Sequence, residues 1–181
     1  MLIGLSGKAR VGKDTVAGYL EDHFGFKRVA FADSLKRACR EIFHLSERQL
    51  YGDMKEVEDP FWHDTPRNIL QMVGTECLRR GYEEDVWVRS LERTIQLGGG
   101  AEKNWVVTDV RFPNEARAVK SWGGKLVLVD RPDAPTIATN KHASETAMEA
   151  WGAWDYRLDN NQDLPQLYAN IEIMMKELGG S

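Results

Sequence analysis

The chain has 181 residues, 42% of them hydrophobic and 29% charged, with a formal net charge of −4. That is room for one α/β domain with a real core and an ordinary composition for a soluble enzyme. It excludes a broad electrostatic grip on a DNA or RNA polymer, and no run of about 18 apolar residues exists to span a membrane.

Residues Leu2-Ile3-Gly4-Leu5-Ser6 form a short apolar run that reads as a buried strand. Gly7-Lys8-Ala9-Arg10-Val11-Gly12-Lys13-Asp14-Thr15 follows, and then Val16, Leu20 and Phe24 at helical spacing. Strand, Gly-x-x-x-x-Gly-Lys, helix is the setting in which this pattern is a P-loop. Glycines let backbone N–H groups curl around a phosphate, and the helix adds its positive dipole end. Gly7, Arg10, Val11, Gly12, Lys13, Asp14 and Thr15 are therefore the candidate nucleotide-phosphate site, with Lys13 the point charge for the outer phosphates. The residue after Lys13 is commonly Ser or Thr, a Mg²⁺ ligand; here it is Asp14. Thr15 does not simply take its place, because one residue along a helix turns a side chain by about 100°. A carboxylate is a hard oxygen ligand, so Asp14 is a candidate for the metal and the moving phosphoryl group. An acidic residue favoured by the helix dipole alone is the other reading.

Further along, Arg28–Phe31 reads as a second strand. Leu35, Ala38, Cys39 and Ile42 then follow helical spacing, with Asp33 or Ser34 as cap. Residues 44–64 are polar and long for a connection, which suggests a functional insertion. Thr65-Pro66 caps a helix with Ile69, Leu70, Val73 and Cys77 on its apolar face. Arg67 and Gln71 share its other face, with Gly74 and Thr75 a turn on. That face suits a substrate phosphate and a base edge, or is merely solvated; spacing leaves both open. Asp85 caps a helix with Val88, Leu91 and Ile95 inward, ended by Gly98-Gly99-Gly100. Trp105–Asp109 and Lys125–Val129 are interior strands, Tyr156–Asp159 a last short one, and Leu167, Ile171, Met174 and Leu178 the stripe of a final helix from Asp163.

Helix–strand alternation predicts a P-loop NTPase-type α/β fold, a parallel sheet with flanking helices. Ligands then sit beyond the strands' carboxyl ends, where Gly7, Asp33, Asp109, Arg111 and Asp130-Arg131 should converge. Asp109 should end the strand beside the P-loop strand, where an Asp binds Mg²⁺ or its waters. Arg111 offers a bidentate fork to a phosphate, or a surface salt bridge. Two cysteines, Cys39 and Cys77, read as small buried apolar groups. A strand beginning at residue 2 leaves no room for a signal peptide, so a cytoplasmic protein is expected.

The loop at 7–15, Phe31-Ala32-Asp33-Ser34-Leu35-Lys36, Pro66-Arg67 with Leu70-Gln71 and Gly74-Thr75-Glu76, Thr108–Glu115 and His142-Ala143-Ser144-Glu145 together resemble the deoxynucleoside monophosphate kinases of tailed bacteriophages. The Asp-Val-Arg-Phe-Pro-Asn-Glu run is far more specific than the P-loop. The resemblance implies one nucleoside monophosphate kinase-like domain that moves the γ-phosphoryl group of ATP to a deoxynucleoside 5′-monophosphate with Mg²⁺. It implies residues 33–87 as the monophosphate-binding part, with Asp33, Arg67, Gln71 and Arg111 toward that substrate. It implies a short lid over about 131–145, with Arg131 at its base and Glu145 at or near it. It implies Arg131, then Arg10, as the arginine for the transferring group, and Asn160 and Asn161 as contacts of the adenine. Relatives imply a homodimer. The acceptor's nucleophile is an already ionised phosphate oxygen, so positioning and charge neutralisation suffice without a strong base. Rival readings are a GTPase-type switch, which lacks its Asn-Lys-x-Asp here, and a dephospho-coenzyme A or phosphomevalonate kinase.

Overall fold

The computed structural model describes residues 1–132 and 146–179. Its strands are β1 (Leu2–Ser6), β2 (Lys27–Val29), β3 (Trp105–Val107), β4 (Lys125–Asp130) and β5 (Tyr156–Asp159). They form one parallel sheet in the order β2-β3-β1-β4-β5. β1 lies at the centre, with Ile3 opposite Val106 on one side and Lys125 on the other. A strand paired on both edges and covered on both faces needs near-continuous apolar character. β1 has it: Ile3 and Leu5 are fully buried.

The chain divides into two compact units, residues 1–30 with 93–181, and residues 31–92. The first holds the sheet with α1 (Lys13–Phe24), α6 (Pro113–Ser121) and α7 (Leu164–Glu177). α1 packs on α7 and β2, and α6 on β1 and β4. Val16, Leu20, Val127, Leu158, Ile171 and Met174 share one core. Fully burying such a side chain stabilises by roughly 1.5–3 kcal/mol. α7 starts at Asp163, whose carboxylate accepts from the Gln166 N–H, as the cap pattern predicts.

The second unit is helical: α2 (Ala32–Phe43), α3 (Glu47–Tyr51), a 3₁₀ turn (Asp53–Glu56), α4 (Pro66–Gln71), a π-helix (Met72–Arg80) and the start of α5 (Val86–Leu97). α2 packs against α4 and the π-helix. The Thr65 hydroxyl accepts from the Asn68 N–H, so the predicted cap with a first-turn proline is present. The polar stretch 44–64 is folded too, since Ser46 and Gln49 make a reciprocal capping box for α3.

Three expectations are corrected here. β2 stops at Val29 and α2 begins at Ala32, so Asp33 lies in the first turn and neither Asp33 nor Ser34 is the cap. β3 ends at Val107, not Asp109. The face of the Pro66 helix also rotates. Beyond Gln71 each turn takes in an extra residue, which carries Gly74, Thr75 and Arg79 inward and leaves Cys77 exposed. Sequence periodicity assumed 3.6 residues per turn throughout and so buried Cys77. Cys39 is buried as expected, and burial pushes its thiol up to about 11.

Candidate active site

The loop after β1 is shaped by backbone signs. Gly7 (φ 142), Arg10 (φ 63) and Gly12 (φ 98) all take positive φ. Mixing left- and right-handed residues turns successive N–H groups to one side, the geometry of an anion nest. A Cβ on Gly7 would come within 3.0 Å of the Val129 carbonyl oxygen, and one on Gly12 within 3.0 Å of the Asn160 amide. Only glycine fits both places. α1 starts at Lys13, directing its N-terminal amides and dipole at the same loop. The Lys13 ammonium donates to the Gly7 and Lys8 carbonyls at 2.8 Å each, folding back across the loop.

Asp14, the second residue of α1, is exposed. Its Oδ1 accepts from the Arg28 guanidinium of β2 at 3.0 Å. The Asp14 side chain is 89% exposed, so this pair contributes little to stability. It does hold the carboxylate beside the start of the helix, next to Lys13. Thr15 is half-buried and Arg10 exposed.

Asp109 and Arg111 reach the same end of the sheet by a defined route. β3 is hydrogen-bonded directly to β1, so the strand leading to Asp109 does lie beside the P-loop strand. Val110 between them is pinned to β1: its N–H donates to the Leu5 carbonyl at 3.0 Å, and its carbonyl accepts from the Ser6 hydroxyl at 2.8 Å. Asp109 and Arg111 therefore flank a residue fixed to the strand end from which the loop springs. Glu115, 2% exposed, accepts from the backbone N–H groups of Arg111 and Phe112 at 2.8 and 3.1 Å. This explains the acid of the Asp-Val-Arg-Phe-Pro-Asn-Glu run: it caps α6 and fixes the backbone that carries Arg111. Asp130 ends β4, and Arg131 after it is exposed.

Asp33, Arg67 and Gln71 belong to the other unit. Arg67 is half-buried and ion-paired with Glu56, while Gln71 ends α4, also half-buried. Glu145 and the rest of 133–145 lie outside the described residues. Among the aromatic side chains of this unit, Trp87 is core: it is buried, and its indole N–H donates to the Gly74 carbonyl at 2.9 Å. Trp62 packs edge-on against Phe43 and Phe61, and Phe61 is 78% exposed.

A family model described as deoxynucleotide monophosphate kinase matches residues 54–171. A putative deoxynucleotide monophosphate kinase of Acanthamoeba polyphaga mimivirus is 38% identical, with 94% of each chain covered. The chain belongs to the deoxynucleotide monophosphate kinase family. It is an enzyme, a kinase.

The deoxynucleoside-5′-monophosphate kinase of Escherichia phage T5 is 36% identical over 112 residues, covering 59% of this chain and 44% of that one. Among solved structures, an unliganded sugar kinase from a Janibacter species aligns with TM-score 0.56 at 16% identity, covering 99% of this chain and 95% of that one. A dephospho-CoA kinase from Campylobacter jejuni gives 0.54 at 13%, covering 98% and 96%. These establish the P-loop kinase fold. No described helix is long and apolar enough to cross a membrane. In this family member, sequence reasoning missed Arg28, Glu115 and the buried contact of Asn160. Glu115 meets its partners across a turn, while Arg28 reaches a residue of α1 and Asn160 the P-loop 149 positions away, and no helical or strand period signals any of these.

Proposed function

We propose that this kinase transfers the γ-phosphoryl group of ATP to a deoxynucleoside 5′-monophosphate, giving the diphosphate, with Mg²⁺ as cofactor. The observation that carries the reading is the nest at residues 7–13, with three positive-φ residues, a helix N-terminus and the Lys13 ammonium in one loop. A family that phosphorylates deoxynucleotide monophosphates needs a donor site, and this loop suits a triphosphate.

In this reading the loop amides and Lys13 hold the β- and γ-phosphates. Arg111 and Arg67, with Gln71, hold the acceptor, its phosphate matching a planar guanidinium fork. Arg131 neutralises charge on the group in flight. Mg²⁺ asks the protein for only one or two carboxylates, the rest being phosphate and water oxygens. Asp14, exposed next to Lys13, and Asp109, beside the end of β1, fit that demand. Among the described residues no three His, Cys, Asp or Glu side chains cluster as a metal cage. When bound, the metal would offset the charge of the phosphates. The acceptor phosphate arrives ionised, so the side chains orient and neutralise while no group need remove a proton. The enzyme is read as cytoplasmic and as a homodimer.

The test is a coupled assay of diphosphate formation with ATP and Mg²⁺ across dAMP, dGMP, dCMP, dTMP and the ribonucleotides, with dephospho-coenzyme A and phosphomevalonate as further acceptors. Turnover of at least one deoxynucleotide far above the last two is the expected result. Turnover of dephospho-coenzyme A or phosphomevalonate alone would overturn it.

A further inference from the structure

We propose that Asn160 is a positioning residue that sets the phosphate-binding conformation of the P-loop, and does not read the adenine. The inference rests on the reading of residues 7–15 as a triphosphate site. Asn160 follows β5 and is 8% exposed. Its side-chain Nδ2 donates to the Val11 carbonyl at 2.8 Å, across 149 positions of sequence. Its own backbone N–H donates to the Asp130 carbonyl at 2.8 Å. The amide is thus anchored to the end of β4, the strand paired with β1, and reaches the loop from inside the fold.

The consequence follows from peptide geometry. In a trans peptide the C=O and the following N–H point in opposite directions, and this chain has no cis peptide bond among its described residues. Tying the Val11 carbonyl to buried Asn160 therefore turns the Gly12 N–H the other way, outward from the core. That N–H is the last loop donor before Lys13 begins α1. Were the Val11–Gly12 peptide to flip, a carbonyl would face the phosphate in place of a donor. The neighbouring carbonyls are held as well, that of Gly12 by the Val16 N–H at 3.0 Å and those of Gly7 and Lys8 by Lys13. The amide also occupies the place a Gly12 Cβ would need. Gly12 and Asn160 therefore act as one device: the missing side chain admits the amide, and the amide fixes the peptide.

An adenine reader and a loop brace give different results on substitution. An adenine reader discriminates ATP from GTP and leaves inorganic tripolyphosphate untouched. A brace affects every triphosphate equally. The experiment measures binding of ATP, GTP and tripolyphosphate by calorimetry to the full chain and to Asn160→Ala and Asn160→Asp, with deoxynucleotide monophosphate binding and thermal unfolding alongside. Losing one buried hydrogen bond should weaken all three triphosphate ligands by about tenfold in Asn160→Ala. Asn160→Asp, the same shape but an acceptor against an acceptor, should weaken them further. Monophosphate binding should stay unchanged, and KM for ATP should rise without a matching rise for the acceptor. Unchanged tripolyphosphate affinity in either folded variant, or a loss confined to ATP, overturns the proposal. If Asn160→Ala does not fold, Asn160→Ser, uncharged and too short to reach the Val11 carbonyl, decides in its place. If the unaltered protein binds neither ATP nor tripolyphosphate, the triphosphate reading itself fails, and the brace with it.

Discussion

At the scale of single residues, the departure from the common P-loop is Asp14. Its carboxylate is not idle, since Arg28 holds it at 3.0 Å. In the proposed reaction Asp14 would help hold the metal, and the loop amides would grip the triphosphate without it. Asp14→Asn should therefore lower kcat more than it raises the KM for ATP. Steady-state kinetics at low and saturating Mg²⁺ check this; full activity at low Mg²⁺ would leave only the helix-dipole role. Arg67 and Arg111 serve the acceptor in the same scheme. Charge-assisted hydrogen bonds are typically worth about 1.5–3 kcal/mol, and lysine does not reproduce the fork. Arg67→Lys and Arg111→Lys should each raise the KM for the monophosphate by roughly ten- to a hundredfold, with ATP affinity little changed. Calorimetry with each ligand separately decides it, and loss of ATP binding with the monophosphate retained would mean the two sites are reversed.

At the scale of elements, one buried and one half-buried carboxylate hold the sheet's connections. Glu115 accepts two backbone N–H groups at the start of α6. Glu115→Ala leaves both without this partner and should cost about 2–3 kcal/mol in urea unfolding, with a weaker grip on the monophosphate through Arg111. A loss of stability with the acceptor KM unchanged would separate α6 from Arg111. Asp155 ties β5 to β4: its carboxylate accepts from the Leu126 N–H and the Lys120 ammonium at 2.7 Å, while its own N–H donates to the Leu126 carbonyl at 2.9 Å. Burial pushes this carboxyl up, but the Leu126 N–H and the Lys120 and Lys125 charges outweigh it, and the net shift is downward. A carboxylate with a depressed folded-state value contributes stability above its unfolded value of about 3.9, and loses it as pH falls through the folded one. The stability gap between the unaltered protein and Asp155→Asn should thus be full at neutral pH and close in acid. A gap independent of pH would refute the assignment. Elements were legible in the sequence where one period governs. The Thr65-Pro66 cap, the Asp163 cap and the parallel strands fall in that class, because each is set by local chemistry or by uninterrupted alternation. The π-helix was not legible, since an extra residue per turn changes which side chains face inward without changing composition. Cys77 was misplaced for that reason. At the site, Lys13 and the loop glycines could be read from spacing, whereas Arg28 on Asp14 and Asn160 under Val11 are tertiary contacts that no local pattern announces.

At the scale of the whole molecule, the residues read for the two substrates are divided between the two compact units. The loop, Lys13 and the acceptor's Arg111 lie in the unit of residues 1–30 and 93–181, and Arg67 and Gln71 in the unit of 31–92. The proposed chemistry needs both occupied at once, so the two ligands should be separable by mutation. A ligand that binds only the folded state stabilises it by about 2.7 kcal/mol at a hundred times its Kd. For a chain of this size that raises Tm by roughly 5–10 °C. ATP with Mg²⁺, and a deoxynucleoside monophosphate, should each give such a shift alone. Lys13→Ala should lose most of the ATP shift, keep the monophosphate shift and show no turnover, because the Lys13 ammonium donates to carbonyls of the phosphate loop. Arg67→Lys should do the reverse. Thermal unfolding of the three proteins with each ligand supplies the measurement. Loss of both shifts in Lys13→Ala, at an unchanged unliganded Tm, would show that the monophosphate also depends on the loop. Turnover in a folded Lys13→Ala would remove the P-loop from the mechanism altogether.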